Sequence, residues 1–194
     1  VKNFGTGFNN WLGGGNSYIN NTLHNNTFGI FLNQAFSSSI LGNNITNSSQ
    51  GIRVYWFSSN HLIKNNYVYN NIDGIVLSWG PRDSIVEGNI VRNNNIGLYS
   101  ECPYGDHPAF KNNYTDNEIT DNNYGIDVRC SYDNLFYKNR LNGNGIGITM
   151  DSSNNNTVYN NFFNNTLNAQ DVYINYWNIS KRPGLNIVGG PFIG

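Results

Sequence analysis

Apolar residues in this chain return in fixed columns with a period of about 22 residues, without any helical stripe. A small residue followed by a usually apolar one marks each repeat, at Gly7, Gly29, Gly51, Gly74, Gly97, Gly125, Gly147 and, in degenerate form, Ala169. The anchors are 22 or 23 residues apart except for one interval of 28, between Gly97 and Gly125. Six positions before the anchors stand Val1, Leu23, Ile45, Val68, Val91, Ile119, Leu141 and Phe163, and eleven before them Tyr18, Ile40, Ile63, Val86, Tyr114, Phe136 and Val158. Around the anchors apolar and polar residues alternate, as in Gly51-Ile52-Arg53-Val54 and Gly125-Ile126-Asp127-Val128. A period of two is the mark of a strand with one face buried.

Short strands repeated in this way can bury their apolar face only if successive turns stack about 4.8 Å apart and each column covers the next. The pattern therefore predicts an all-β fold: a single-domain right-handed parallel β-helix solenoid, about eight turns of roughly 22 residues, spanning 1–194. An asparagine stands eight positions before the anchors, at Asn21, Asn43, Asn66, Asn89, Asn117, Asn139 and Asn161. Asparagine tolerates the left-handed backbone of a tight corner, and its amide can bond to the same amide one turn away. Asn10 and Ser100 occupy a position that is Leu, Val or Met in most other turns, so looser packing is expected there.

Composition narrows the partners. Charged residues make up 12% of the chain and the net charge is -1, with no basic run. Such a chain lacks the phosphate-neutralising cations that nucleic-acid binding needs. Its apolar runs fall far short of the roughly 20 residues of a membrane-spanning helix, so no membrane insertion is expected. Disorder is the other reading of an Asn-rich chain, but disordered segments lack aromatics and registered apolar columns.

Cys102 and Cys130 each lie five residues after their anchors, Gly97 and Gly125. Equivalent sites on adjacent turns lie about one strand spacing apart, within the Cα separation a disulfide accepts. A bond is expected, the alternative being two buried free thiols. It would close the irregular turn, worth roughly 3 kcal/mol on the chain-entropy estimate. A disulfide places the protein outside a reducing cytoplasm, extracellular or at the cell surface. Sequons at Asn20, Asn25, Asn44, Asn47, Asn113, Asn155, Asn164 and Asn178 agree, with only some expected to carry sugar.

The units Asn-Asn-Tyr-Val-Tyr-Asn-Asn-Ile-Asp-Gly-Ile-Val-Leu (65–77) and Asn-Glu-Ile-Thr-Asp-Asn-Asn-Tyr-Gly-Ile-Asp-Val (117–128) closely resemble the parallel β-helix repeats of NosD-like and pectate-lyase-like proteins, a likeness spanning nearly the whole chain. Residues 176–194 look like a segment that closes such arrays in archaeal surface and secreted proteins. The resemblance implies fold and origin more than activity, because one architecture serves lyases, hydrolases, epimerases, adhesins and inert surface proteins.

The association of NosD with copper-site maturation calls for a metal test, which the sequence fails. His24, His61 and His107 fall at unrelated repeat positions, expected to be surface or corner residues, and Met150 is at a core position. No metal and no cofactor are expected. For polysaccharide chemistry, outward positions place Arg53, Tyr55, Tyr99, Glu101, Asp127, Arg129 and Asp151 on one side, beside a 101–113 loop carrying Asp106 and His107. Asp127 and Asp151 are the weak candidates for a general acid and base on successive turns. A solvated charge facing Arg129 or Arg53 is the blander reading.

Phe31, Tyr55, Trp56, Trp79 and Tyr99 make a better case. Flat exposed rings suit sugars or a neighbouring protein, unless Trp56 and Trp79 turn inward as corner packing. Val1 falls in a core column, so the first turn needs a cover: flanking repeats of a longer chain, or other copies stacked head to tail. The leading expectation is a non-catalytic structural or cell-surface module that self-associates through its ends. The rival is a carbohydrate-binding or polysaccharide-cleaving β-helix using Arg53, Tyr55, Trp56, Trp79, Tyr99, Arg129 and the 101–113 loop.

Overall fold

The computed structural model describes residues 1–103 and 105–193; Tyr104, in the 101–113 loop, and Gly194, at the end of the closing segment, lie outside the described residues. The chain is a right-handed parallel β-solenoid without a helix among the described residues. Each coil lays down one six-residue strand and two three-residue strands. In the first coil these are Thr6–Trp11, Ser17–Ile19 and Thr22–His24. In the seventh they are Ile146–Asp151, Thr157–Tyr159 and Phe162–Asn164. Equivalent strands pair in parallel from coil to coil, giving a long face of eight strands and second and third faces of seven each.

The apolar columns meet inside. Ile52 and Val54 from the long face, Ile63 from the second and Val68 from the third are fully buried in one core, and their counterparts repeat this coil after coil. Burying one such aliphatic side chain contributes roughly 1.5–3 kcal/mol. The anchor is glycine for want of space: a Cβ on Gly51 would stand 2.6 Å from the Gly74 carbonyl oxygen and 2.6 Å from a Val68 methyl. Polar residues do point inward where the sequence indicated. Ser100 bonds to Ser131 (3.0 Å) and Asn10 to Ser38 (3.4 Å), so these groups are partnered in the interior.

Three amide ladders fix the corners. In the expected one, the Asn66 backbone N–H and Nδ2 both donate to Asn89 Oδ1 at 2.9 Å, and Nδ2 also donates back to Ile40 O at 2.9 Å. The left-handed residue is the one before each rung: Asn20, Asn65 and Asn160 have φ of 54°, 56° and 53°. The Asn doublets thus divide the labour between turning and stacking. The second ladder contains Asn26, Ser48, Asn71, Asn94, Asn122, Asn144 and Asn165. The third contains Ser38, His61, Ser84, Asn112, Asn134, Asn156 and Asn175.

His61 is the corner residue of its coil and is buried there. Its Nδ1 accepts from the Ser38 N–H (3.1 Å) and its Nε2 lies 3.1 Å from Ala35 O, so the imidazole performs both duties of an asparagine amide. Burial pushes its pKa down to about 4.

One register expectation is corrected. Ala169 pairs with Ile148, so Asn168 stands where the anchor glycine does in other coils. The reason is that the last complete coil is one residue short, as the 21-residue step from Asn144 to Asn165 shows. Val1 is about half exposed, although it aligns with the core column. Beyond the eighth long strand, Leu167–Asp171, Tyr176 bridges Thr157 and the chain ends in a small antiparallel pair, Arg182–Pro183 with Phe192–Ile193.

Candidate functional site

The outer side of the long face carries its polar and aromatic residues in register. One outward row runs Asn9, Phe31, Arg53, Val76, Tyr99, Asp127, Thr149 and Gln170. The next contains Trp11, Asn33, Tyr55, Ser78 and Glu101, with Arg129 and Asp151 paired further on. Immediately after the long strand the chain turns a corner through Leu12, Gln34, Trp56, Trp79, Cys102, Cys130 and Ser152, one residue per coil.

Coils two to four of this face are aromatic. Phe28 stacks on Phe31 (4.9 Å), Phe31 meets Tyr55 (5.9 Å), and Tyr55 meets both Trp56 (5.9 Å) and Trp79 (6.1 Å). Trp56 and Trp79 stack at 5.3 Å with an interplanar angle of 13°, and Trp79 continues to His107 at 5.6 Å. The indoles do not turn inward: Trp56 is 38% exposed, and it lines an outer cleft of about 340 Å³ with Trp11, Asn33, Gln34 and Tyr55. Both tryptophans have left-handed backbones, φ 51° for Trp56 and 66° for Trp79, as has Phe57 at 53°. Leu12, Gln34, Cys130 and Ser152 share this conformation at the same corner, so it belongs to the turn of the coil.

Coils five to seven are polar. Arg129 grips Asp127 with Nε to Oδ1 at 3.1 Å and Nη2 to Oδ2 at 2.6 Å, and its guanidinium lies 5.3 Å from the Tyr99 ring centre. Asp127 is fully buried, so the expected solvated charge is corrected to a clamped one. Burial raises its pKa, opposed by the Arg129 bonds and charge. Tyr99 is pushed far above the ordinary phenol range, first by burial and then by Glu101, and so keeps its proton. Asp151 lies opposite Arg129 and Asp127 opposite Thr149, so the two carboxylates sit diagonally, with Arg129 in the row of Asp151 and bonded to Asp127. A cleft of about 240 Å³ opens here, lined by Tyr124, Asp127, Arg129, Ile146, Thr149 and Asp151 among others.

Arg53 brings a charge into the aromatic half. Its Nη1 donates to Gln50 Oε1 (3.0 Å), its guanidinium lies 4.5 Å from the Tyr55 ring centre, and Gln50 Nε2 donates onward to Asp73 (3.1 Å). Burial lowers its pKa, against the raising fields of Glu101, Tyr55 and Asp73. Chemically, this surface offers stacking rings and hydrogen-bonding groups; its most buried carboxylate is already held by two donors, an arrangement for binding more than for proton transfer.

The sequence reading missed Trp11, Phe28, Gln50 and Asp73. Trp11 stands four after Gly7, as Tyr55 stands after Gly51, and alternation places it outward; Phe28, Gln50 and Asp73 each stand one before an anchor, on the parity of the buried Ile30, Ile52 and Ile75, so strict alternation would have put them inside.

Cys102 and Cys130 are bonded, with Cα atoms 5.6 Å apart, at the base of the inserted loop. His107 in that loop packs on Phe57 at 4.7 Å as well as on Trp79. The sequon asparagines Asn20, Asn25, Asn47, Asn113, Asn155, Asn164 and Asn178 are exposed, whereas Asn44 has its Oδ1 buried.

The architecture makes this a protein of the parallel β-helix class. More particularly, the family described as "Periplasmic copper-binding protein (NosD)" matches residues 1–194, and the chain belongs to that family. No curated protein matches it by sequence. Among solved structures it is similar to the periplasmic alginate epimerase AlgG (24% identity, TM-score 0.64, 72% of this chain and 34% of that one). It is also similar to the Azotobacter vinelandii mannuronan C-5 epimerase AlgE4 A-module (16%, 0.63, 81% and 53%) and to pectate lyase Pel9A (12%, 0.57, 81% and 48%). The chain spans about a third to a half of these structures, and the likeness is one of fold.

Copper is tested directly by the side chains. Among the described residues no three His, Cys, Asp or Glu converge to hold a metal ion. Both cysteines are bonded to each other, Met150 is in the core, His61 uses both ring nitrogens in the ladder, and His24 is on the third face beside Asn47 (3.4 Å). Thiolate, thioether and imidazole donors suited to copper are thus dispersed or engaged, and the residues present do not fit the group.

Proposed function

We propose that the protein works outside the cytoplasm and binds a polysaccharide along the outer side of its long face. The observation that carries this is the unbroken run of rings from Phe28 through Phe31, Tyr55 and Trp56 to Trp79, on the same face as a hydrogen-bonding cleft at Asp127 and Arg129. Sugar rings stack on aromatic faces, and polar groups beside them fix orientation. The order of the two expectations is thereby reversed. The solved structures of similar fold include proteins named for alginate, mannuronan and pectate.

Affinity electrophoresis through gels containing neutral, amino-bearing or acidic polysaccharides tests the reading. At least one polysaccharide should retard the protein. The Trp56→Ala, Trp79→Ala double variant should lose tenfold or more of that affinity while unfolding at a similar denaturant concentration. Unretarded migration in every gel would end the proposal.

A further inference from the structure

The charges on the long face set which polysaccharide it accepts. Its outward rows carry two arginines, Arg53 and Arg129, against three carboxylates, Glu101, Asp127 and Asp151, and a fourth, Asp73, stands at the start of its strand. Neither arginine is spare. Arg129 is bound bidentately by Asp127, and Arg53 is held by Gln50 and the Tyr55 ring within the fields of Asp73 and Glu101. What remains uncompensated is negative: Glu101 and Asp151, half-buried and exposed, in the row that flanks Asp127. The aromatic half contributes rings and one balanced Arg53–Gln50–Asp73 chain.

We infer that this face selects polysaccharide chains without acid groups and rejects polyuronates, by the excess of carboxylates over available cations along it. The inference rests on the polysaccharide reading and adds its selectivity. An acidic chain lying here would bring a carboxylate past each successive coil with no free guanidinium to receive it, and like charges side by side exclude a partner more effectively than weak attraction selects one. A neutral chain meets only stacking rings and hydrogen-bonding groups. An amino-bearing chain gains the attraction of Glu101 and Asp151 in addition.

The test uses the intact chain and soluble oligomers of three kinds: β-1,4-glucan, partly deacetylated chitin and polyuronate. At low ionic strength the glucan and the chitin oligomer should bind at least tenfold more tightly than the polyuronate. Raising the salt shortens the reach of charge from about 30 Å at 0.01 M to about 8 Å at 0.15 M. That change should weaken the amino-bearing oligomer, narrow the deficit of the polyuronate, and leave the glucan unaltered. The Glu101→Gln, Asp151→Asn double variant should raise polyuronate affinity relative to glucan affinity tenfold. Polyuronate binding equal to or tighter than glucan binding in the unaltered protein overturns the inference, and that comparison holds even if the double variant fails to fold. Absence of binding by all three oligomers removes the polysaccharide reading itself, a result distinct from wrong selectivity.

Discussion

The asparagine ladder between the second and third faces and the corner column at the end of the long strand are both one-residue-per-coil stacks, yet they obey opposite rules. The ladder is asparagine in seven successive coils, whereas the corner reads Leu12, Gln34, Trp56, Trp79, Cys102, Cys130, Ser152. Where a side chain's only neighbour is its own copy one coil away, repetition is the best solution, because each amide donates to and accepts from an identical group. Where the column faces solvent or a guest, repetition confers nothing and each coil differs. In this solenoid the solvent-facing corner varies freely, whereas buried columns keep their hydrogen bonds even where Ser or His replaces Asn.

Substitutions can break this contrast, and the largest effect should come from the one covalent bond in the corner. Replacing both cysteines by alanine releases a loop of 28 residues; the chain-entropy relation puts the loss at about 3.5 kcal/mol, read as a lower midpoint in urea unfolding. Within the ladder, Asn89→Ala removes the acceptor for the Asn66 N–H and Nδ2 and the donor to Ile63 O and Asn117 Oδ1. Leaving those buried groups unpaired should cost about 3 kcal/mol by the same measurement. An unchanged midpoint would mean that water or a neighbour replaces the rung.

His61 sharpens the comparison because it is an irregular residue inside a regular column. Its pKa falls from the ordinary 6.5 to about 4 on folding, so the unfolded chain binds the proton more readily. The stability this group provides is full above pH 6.5 and is lost progressively as the pH falls toward 4, by between about 2 and 3 kcal/mol. His61→Asn restores the repeat and should flatten that part of the stability profile; a profile as steep as before would sink the assignment. The smallest effect on stability belongs to Trp56→Ala. Removal of a partly exposed corner side chain should change the unfolding free energy by less than about 1 kcal/mol, while the proposed polysaccharide affinity should fall.

The coil and its core were legible because three columns recur in register, and a column of identical residues survives any ambiguity of local propensity. The two other ladders were not, because Ser48, Ser38, His61 and Ser84 interrupt the spelling while preserving the hydrogen bonds. Asp127 was found as an outward residue by alternation, but its burial depends on Arg129 folding back over it, a choice of rotamer that period alone does not carry. The shift from Ala169 to Asn168 came from one missing residue in the final turn, where a weak anchor left nothing to correct the count.

The amide stacks have an electrical consequence. Every rung turns its oxygen toward the preceding coil and sends its backbone N–H toward the following one, so the small dipoles of all three stacks point the same way and add along the axis, much as peptide units do in a helix. The rod is thus polarised, its positive pole toward the later coils. There the Asp171 carboxylate accepts through both oxygens from the amide of Asn175, an anion placed at the pole that attracts one.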